Sequence, residues 1–120
     1  MKVYVAGKLN DMACNYIKNV HEMIFWGNEV RKNGFSVYIP AIDLIVGITL
    51  GDLDYDDYFD NSQEWLDASD ALFLVPGWET SEGTKKEIYR AIGNGIPVFD
   101  NIEDLIKFRE AKNGEKKKVI

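Results

Sequence analysis

The sequence contains very few of the residues that build disulfides and zinc sites. It has one cysteine, Cys14, and one histidine, His21, among 120 residues. A single cysteine cannot form a disulfide within the chain, and one cysteine with one histidine falls short of an ordinary zinc ligand set. We therefore expect no metal and no cofactor, and His21 is interpreted as a partly exposed residue at a helix edge.

Long apolar runs and an excess of positive charge are also missing. No stretch approaches the ~20 apolar residues of a membrane span, and the chain opens on a strand-like segment without a signal peptide's apolar region and cleavage site. The formal net charge of -6 repels a nucleic-acid backbone on average. These absences predict a cytoplasmic protein whose partners include neither a membrane nor a nucleic-acid polymer.

The common nucleotide and calcium motifs are absent as well. The segment 77–83 has one residue too many for a P-loop, and the turn after the first predicted strand has only Gly7 instead of a G-x-G-x-x-G fingerprint. Alternating aspartates at positions 52–56 begin like a calcium loop, but Asp57 replaces its glycine and Gln63 its closing glutamate. The aspartates are interpreted as a solvated face.

Segments with strand and helix patterns alternate along the chain. Apolar runs predict buried strands at residues 2–6, 35–39, 71–75 and 96–99. Apolar residues spaced by three and four predict helices at residues 13–30, 55–68, from the turn near 81 to 93, and 102–112. Residues 41–54 have mixed signals with two glycines, and we expect an irregular segment near the ligand side.

This alternation implies βαβ units and a parallel sheet covered on both faces. The prediction is an α/β protein, a Rossmann-like or flavodoxin-like three-layer sandwich with four to five parallel strands. Residues 1–112 would form a single domain, followed by a basic tail at 113–120. The carboxyl ends of the first and third strands would lie side by side, so the turn 7–10 would face the turn 81–87.

The turn after the third predicted strand is the most informative stretch of the sequence. Ser81, Thr84 and Glu87 lie between the apolar run 71–75 and a helical pattern. Such loops bind ligands in open α/β sheets, and the N–H groups at a helix start bind anions. The turn therefore predicts a phosphorylated or polyhydroxylated small molecule beside one chemically active carboxylate.

Five passages of the chain, spread in order over residues 2 to about 100, form a recognisable pattern: Val3 to Gly7, Trp65 to Ala71, Pro76 to Gly83, Glu87, and Ala91 to Val98. With these passages the chain resembles nucleoside 2-deoxyribosyltransferase-like proteins. The relatives include the 2'-deoxynucleoside 5'-monophosphate N-glycosidases and a phage and bacterial branch with the pattern PGW-x-x-S-x-G-x-x-x-E. The resemblance implies that residues 1–112 are a nucleoside 2-deoxyribosyltransferase-like domain.

The resemblance also implies a reaction. In that family a glutamate in the helix after the glycine turn attacks C1' of the sugar, the base leaves, and water or a second base resolves the glycosyl-enzyme. Glu87 stands at that position, which implies hydrolysis or transfer of the N-glycosidic bond of a nucleoside or nucleotide. The alternative interpretation of Glu87 is an exposed helix carboxylate paired with Arg90 or Lys86.

Ser81 favours a 5'-monophosphate as the substrate. It lies six residues before Glu87, where the transferases carry an aspartate and the monophosphate hydrolases a phosphate-binding serine. A neutral hydroxyl beside helix N–H groups tolerates a dianion that an aspartate would repel. Its alternative role is a plain N-cap. The other candidate substrate-binding residues are Tyr4 (alternatively a core aromatic), Gly7, Lys8, Ser62, Trp78, Gly83 and Thr84.

Ser62 marks a departure from the family. The relatives usually have an aspartate eight residues before the aspartate that opens the third strand, and counting back from Asp70 gives Ser62. Asp60 and Glu64 lie two residues away, roughly 200° around a helix, and would point elsewhere. The missing carboxylate favours an alternative function, a non-catalytic nucleotide-binding or sensing module of the same fold.

The resemblance implies a homodimer or higher homo-oligomer, because the relatives complete their pockets across subunits. Phe25, Trp26 and Tyr58 are the candidate exposed aromatics for such contacts.

Overall fold

The computed structural model describes residues 1–9, 12–51 and 54–119. Asn10 of the predicted strand-one turn, Asp52 of the aspartate series and Ile120 of the tail lie outside the described residues. The elements are β1 (Lys2–Ala6), α1 (Ala13–Lys32), β2 (Ser36–Tyr38), α2 (Ile42–Leu50), α3 (Tyr55–Asp67), β3 (Ala71–Leu74), a 3-10 turn (Trp78–Thr80), α4 (Glu82–Gly93), β4 (Val98–Phe99) and α5 (Ile102–Val119).

The four strands form one parallel sheet in the order β2-β1-β3-β4. In the central strand β1, Tyr4 lies opposite Tyr38 of β2 on one side and Leu72 of β3 on the other. The chain runs from β1 outward to β2 and then returns to the other side of β1, which makes the carboxyl end of β1 the topological switch point. The predicted α/β fold and the adjacency of the first and third strands are confirmed.

Two apolar clusters cover the two faces of the sheet, because successive residues of a strand point to opposite faces. Val3 and Val5 of β1 pack in a cluster with residues of α1 and α5. Tyr4 and Ala6 pack in the other cluster with residues of α3 and α4. The result is a three-layer sandwich in which Tyr4, although polar at its tip, is fully buried.

Residues 41–54 do not form the expected irregular segment, because most of them belong to the helix α2. The helix ends at Gly51, which adopts the left-handed conformation (φ 69°) and donates its N–H to the carbonyl of Gly47. The apolar residues of α2 face outward instead of forming a stripe toward the core, so their spacing does not predict a helix. These exposed residues are Ile42, Ile45, Val46, Ile48 and Leu50.

Two further expectations are wrong. The last helix continues past Lys112 to Val119, because Gly114 alone costs only about 1 kcal/mol in a helix and its neighbours are good helix formers. Trp26 and Tyr58 are not exposed, since the Trp26 ring packs partly buried against the first core cluster and Tyr58 is half-buried, whereas Phe25 is exposed as predicted. Among the described residues, no helix is both long and apolar enough to cross a membrane.

Candidate active site

Glu87 lies at the switch point, where three elements hold its carboxyl group. It belongs to α4, one turn and a half inside the helix, and its side chain is partly buried. The phenol of Tyr4 from β1 donates a hydrogen bond to Glu87 Oε2. Gln63 Nε2 from α3 donates to the same oxygen at 3.4 Å. Both contacts fall on Oε2, and neither involves Oε1.

Burial controls the protonation of this carboxyl group. Loss of solvent raises the pKa of Glu87 to about 7, against the opposing effect of hydrogen bonds from Tyr4 and Gln63. The pKa of Tyr4 is also raised, first by burial and then by the charge of Glu87, so the phenol stays a neutral donor. At neutral pH Glu87 therefore exists in both the ionised and the protonated form, as expected of a group used in chemistry.

The alternative interpretation of Glu87 as an exposed partner of Arg90 is wrong. Arg90 instead forms a two-point ion pair with Asp67 of α3, with N–O distances of 2.7 and 2.6 Å. That pair lies on the exposed outer side of α3 and α4, where it holds the two helices together.

Ser81 acts as the N-cap of α4. Its Oγ accepts a hydrogen bond from the Thr84 N–H at 3.2 Å and another from Thr84 Oγ1 at 2.9 Å. Ser81, Gly83 and Thr84 line the cleft above the sheet with the first turn of a twelve-residue helix. Such a turn attracts an anion through hydrogen bonds and the helix dipole.

The cleft has a volume of about 260 Å³ and contains both the helix start and Glu87. One set of lining residues comes from the turn after β1 and from the start of α4, namely Gly7, Lys8, Ser81, Gly83 and Thr84. A second set, more apolar and aromatic, comes from α1, α3 and the segment after β2, namely Tyr16, Met23, Pro40, Tyr58 and Phe59. The cleft therefore offers polar groups and ring surfaces to one ligand.

Gly7 lies in a position where only glycine fits. A side-chain carbon at this residue would lie 2.9 Å from Val75 Cβ, well inside contact distance. The absence of a side chain lets the end of β1 pass against the end of β3, which brings Lys8 to the cleft.

Ser62 lines the cleft, but its side chain is a hydroxyl and supplies no carboxylate. It is buried, its Oγ donates to the carbonyl of Phe59 at 2.9 Å, and Gln63 Nε2 lies 3.4 Å from the same oxygen. Asp60 and Glu64 are exposed, as their positions around the helix predicted.

The structure brings eight of the nine predicted site residues to the cleft and leaves one outside. Trp78 is absent from the lining and packs, partly buried, against the second core cluster. The residues that line the cleft are Tyr4, Gly7, Lys8, Ser62, Ser81, Gly83, Thr84 and Glu87.

Sequence reasoning missed Asp43 and Gln63. Asp43 lines the cleft from α2, the helix that the pattern did not reveal. Gln63 reaches Glu87 only through the packing of α3 on α4. In the sequence, Gln63 is marked only by its position directly after Ser62 on the predicted helix.

Glu87→Gln is expected to stabilise the fold at pH 8 and to change it little at pH 5. In the folded protein the pKa of Glu87 is about 7, above the ordinary value of 4.5. Between these two pH values the folded state binds more protons than the unfolded state, so the free energy of unfolding falls as the pH rises. Glutamine cannot ionise and avoids that loss. We expect a gain on the order of 2 kcal/mol in unfolding free energy at pH 8, measured by urea denaturation.

The exposed Glu103→Gln is the matched control and should show no such pH-dependent gain. A difference between Glu87→Gln and the unmodified protein that is the same at both pH values would contradict the buried, proton-binding carboxyl described for Glu87.

The comparisons with known proteins identify a family but no activity. A family model described as "Domain of unknown function (DUF4406)" matches residues 1–100. A comparison with curated proteins finds no match. Of the residues that the structure describes, the matched range contains all four strands and every one that lines the cleft. The chain therefore belongs to the DUF4406 family.

Proposed function

We propose that the protein hydrolyses or transfers the N-glycosidic bond of a nucleoside 5'-monophosphate, with Glu87 as the nucleophile. The observation that supports this most strongly is the carboxyl group of Glu87, held by a neutral tyrosine in a cleft beside a helix start. This arrangement joins a group that can attack a sugar carbon to a site for a phosphate.

The reaction proceeds in two displacements at C1'. An oxygen of ionised Glu87 forms a bond to C1' while the bond from C1' to the base nitrogen breaks, and the electron pair leaves with the base, which takes up a proton from the solvent. Water, or the nitrogen of a second base, then attacks C1', loses a proton to the solvent and releases the carboxylate. Tyr4 and Gln63 both contact Oε2, so we assign the attack to Oε1.

The first turn of α4 binds the phosphate in this proposal. Ser81 and Glu87 are six residues apart, which is about 9 Å along a helix that rises 1.5 Å per residue. This separation suits a ligand with an anionic group at one end of a sugar and the reacting carbon at the other. Lys8 lines the same cleft and adds positive charge near the dianion.

A relationship to the nucleoside 2-deoxyribosyltransferase-like proteins is part of the proposal. The family match and the resemblance cover the same stretch of chain, and eight of the nine predicted site residues line the cleft. A cytoplasmic location agrees with this substrate class and stays a prediction.

A non-catalytic nucleotide-binding or sensing module is the second candidate function. The observation that favours it is Ser62, whose hydroxyl is already bonded to Phe59 at the position where the relatives have a carboxylate. Such a module would bind nucleotides in the same cleft without releasing their bases.

Base release by Glu87 variants separates the two functions. Glu87→Gln and Glu87→Ala should lower turnover of 5'-monophosphates by at least about a thousandfold, because the bond to C1' cannot form, while nucleotide binding is retained. Free base is measured by chromatography against a panel of nucleosides and 5'-monophosphates, with the exposed Glu103→Gln as the control. Wild-type turnover in the Glu87 variants refutes the mechanism, and binding without any base release favours the sensing module.

Ser81→Asp should remove the preference for a 5'-phosphate. In the unmodified protein, 5'-monophosphates should bind at least tenfold more tightly than the matching nucleosides, and a carboxylate at the helix start would oppose the dianion. Calorimetry with deoxyadenosine and its 5'-monophosphate measures the ratio. Ser36→Asp adds the same charge at the other end of the sheet and should preserve it. Equal affinity of the unmodified protein for both ligands counts against the phosphate site.

We also propose a homodimer that associates through α2. The chain has a net charge of -6, which opposes self-association unless the interface is apolar, and the exposed face of α2 contains Ile45, Val46, Ile48 and Leu50. The helix also contributes Asp43 to the cleft, so association there would place a second copy beside the mouth of the site.

Light scattering should therefore give a dimeric mass for the unmodified protein and a monomeric mass for Ile48→Asp, because a charge in an apolar interface is costly. Ile92→Asp is the matched control, an equally exposed isoleucine on α4, and should remain dimeric. A monomeric mass for the unmodified protein at tens of micromolar would contradict the proposal.

A further inference from the structure

Asp43 supplies a second carboxylate to the cleft, on a different element from Glu87. It lies in the first turn of α2, and Tyr38 of β2 donates its hydroxyl hydrogen to Asp43 Oδ2 at 2.9 Å. Glu82 also lines the cleft, but its side chain is largely exposed and pairs with Lys85 at 3.3 Å. Among the described residues of the cleft, Asp43 and Glu87 are the two carboxylates that accept a hydrogen bond from a tyrosine, Asp43 from the half-buried Tyr38 and Glu87 from the buried Tyr4.

The two tyrosines form one structural unit. Tyr4 and Tyr38 occupy partner positions on neighbouring strands, and their rings stack with centroids 5.6 Å apart and planes 20° apart. Each phenol donates to one carboxylate, Tyr4 to Glu87 and Tyr38 to Asp43. This unit sets the relative positions of both acidic groups.

Tyr38 is held in place by Trp65 and Asn61 as well as by Asp43. Trp65 stacks on it at 5.7 Å with planes 15° apart, and Asn61 Nδ2 lies 3.3 Å from its hydroxyl oxygen. Because the oxygen accepts from Asn61, its own hydrogen is directed to Asp43. Burial, followed by the contact with Asp43, raises the pKa of Tyr38 above its usual range, so the phenol remains a donor.

The order of the strands places Asp43 at the opposite end of the cleft from the helix start. Asp43 follows β2, Tyr4 lies on β1, and Ser81 to Thr84 follow β3, while the sheet order is β2-β1-β3. A nucleotide with its phosphate on α4 and its C1' at Glu87 must therefore extend its base toward the β2 side. Pro40, Tyr58 and Phe59 line the cleft with Asp43 and offer apolar surface to the faces of a base.

We propose that Asp43 contacts the leaving base and accepts a hydrogen bond from its amino group. The placement of the base rests on the proposed function, but the contact itself is one of binding. A carboxylate presents acceptors, so it pairs with the amino group of adenine or cytosine and opposes the carbonyl oxygen that hypoxanthine or uracil has at the same position. The site then selects nucleotides with amino bases. Ser62 does not offer this contact, because its hydroxyl donates to Phe59.

The test measures binding in the Glu87→Gln background, where turnover cannot obscure affinity. Calorimetry is run with two pairs of 5'-monophosphates, those of deoxyadenosine and deoxyinosine and those of deoxycytidine and deoxyuridine. In each pair the first base has an amino group where the second has a carbonyl oxygen. We expect each amino base to bind at least about tenfold more tightly than its partner, since a site built to accept a hydrogen bond discriminates strongly against a ligand without the donor.

Asp43→Asn should lower this ratio at least about tenfold in both pairs, because an amide has a donor that can pair with a carbonyl. Tyr38→Phe keeps the ring stack but releases Asp43, and should lower the ratio by a smaller factor. Glu82→Gln removes a cleft carboxylate that is paired elsewhere and should preserve the ratio.

An unchanged ratio in Asp43→Asn, no preference in the parent, or no binding of any of the four nucleotides overturns the inference. An amino preference that depends on Asp43, in a protein that releases no base when Glu87 is intact, supports the inference and refutes the glycosidase.

Discussion

The hydrogen bond from Tyr4 to Glu87 is the interaction on which the site depends. It joins the central strand to the helix after the switch point, and it stabilises a carboxylate that burial alone would keep protonated far above its usual pH range. The proposed nucleophile must be ionised, yet an ionised carboxylate that is shielded from water destabilises the fold. The neutral phenol and the amide of Gln63 reduce that cost and leave the group with a pKa of about 7.

The rest of the sandwich holds this pair in place. Tyr4 is fully buried between α3 and α4, and its ring stacks on Tyr38, which in turn stacks on Trp65. The aromatic series runs from the centre of the sheet to its β2 edge and positions a second carboxylate, Asp43, along the way. Positions on three different elements, β1, β2 and α3, are therefore connected by ring packing.

The parts of the fold that follow from local pattern could be predicted from the sequence. Buried strands such as β1 and β3 are short apolar runs, and the polar turn with Ser81 and Glu87 follows β3 directly, so the adjacency of the two strands in a parallel sheet places the helix start and Glu87 beside the end of β1. Parts that depend on tertiary packing could not be predicted. The helix α2 exposes its apolar residues, and Asp43 was missed with it.

The stacking of Tyr4 on Tyr38 requires the strand register, which periodicity does not specify, and the contact of Gln63 with Glu87 requires the packing of α3 on α4. For Trp78, the sequence predicted a substrate-binding residue, and the structure places its side chain outside the cleft. It belongs to the motif in sequence, but its large side chain packs against the core cluster beside the turn instead of lining the cleft.

The stereochemistry of the reaction tests the role of Glu87 most directly. Two displacements at C1' retain the configuration of the sugar, whereas a single attack by water or another acceptor inverts it. The reaction is run with a nucleoside 5'-monophosphate in water that contains methanol, and proton NMR determines the anomeric configuration of the methyl glycoside. Retention is the result that a glycosyl ester on Glu87 predicts. Inversion would show that no covalent intermediate forms and would contradict the central claim.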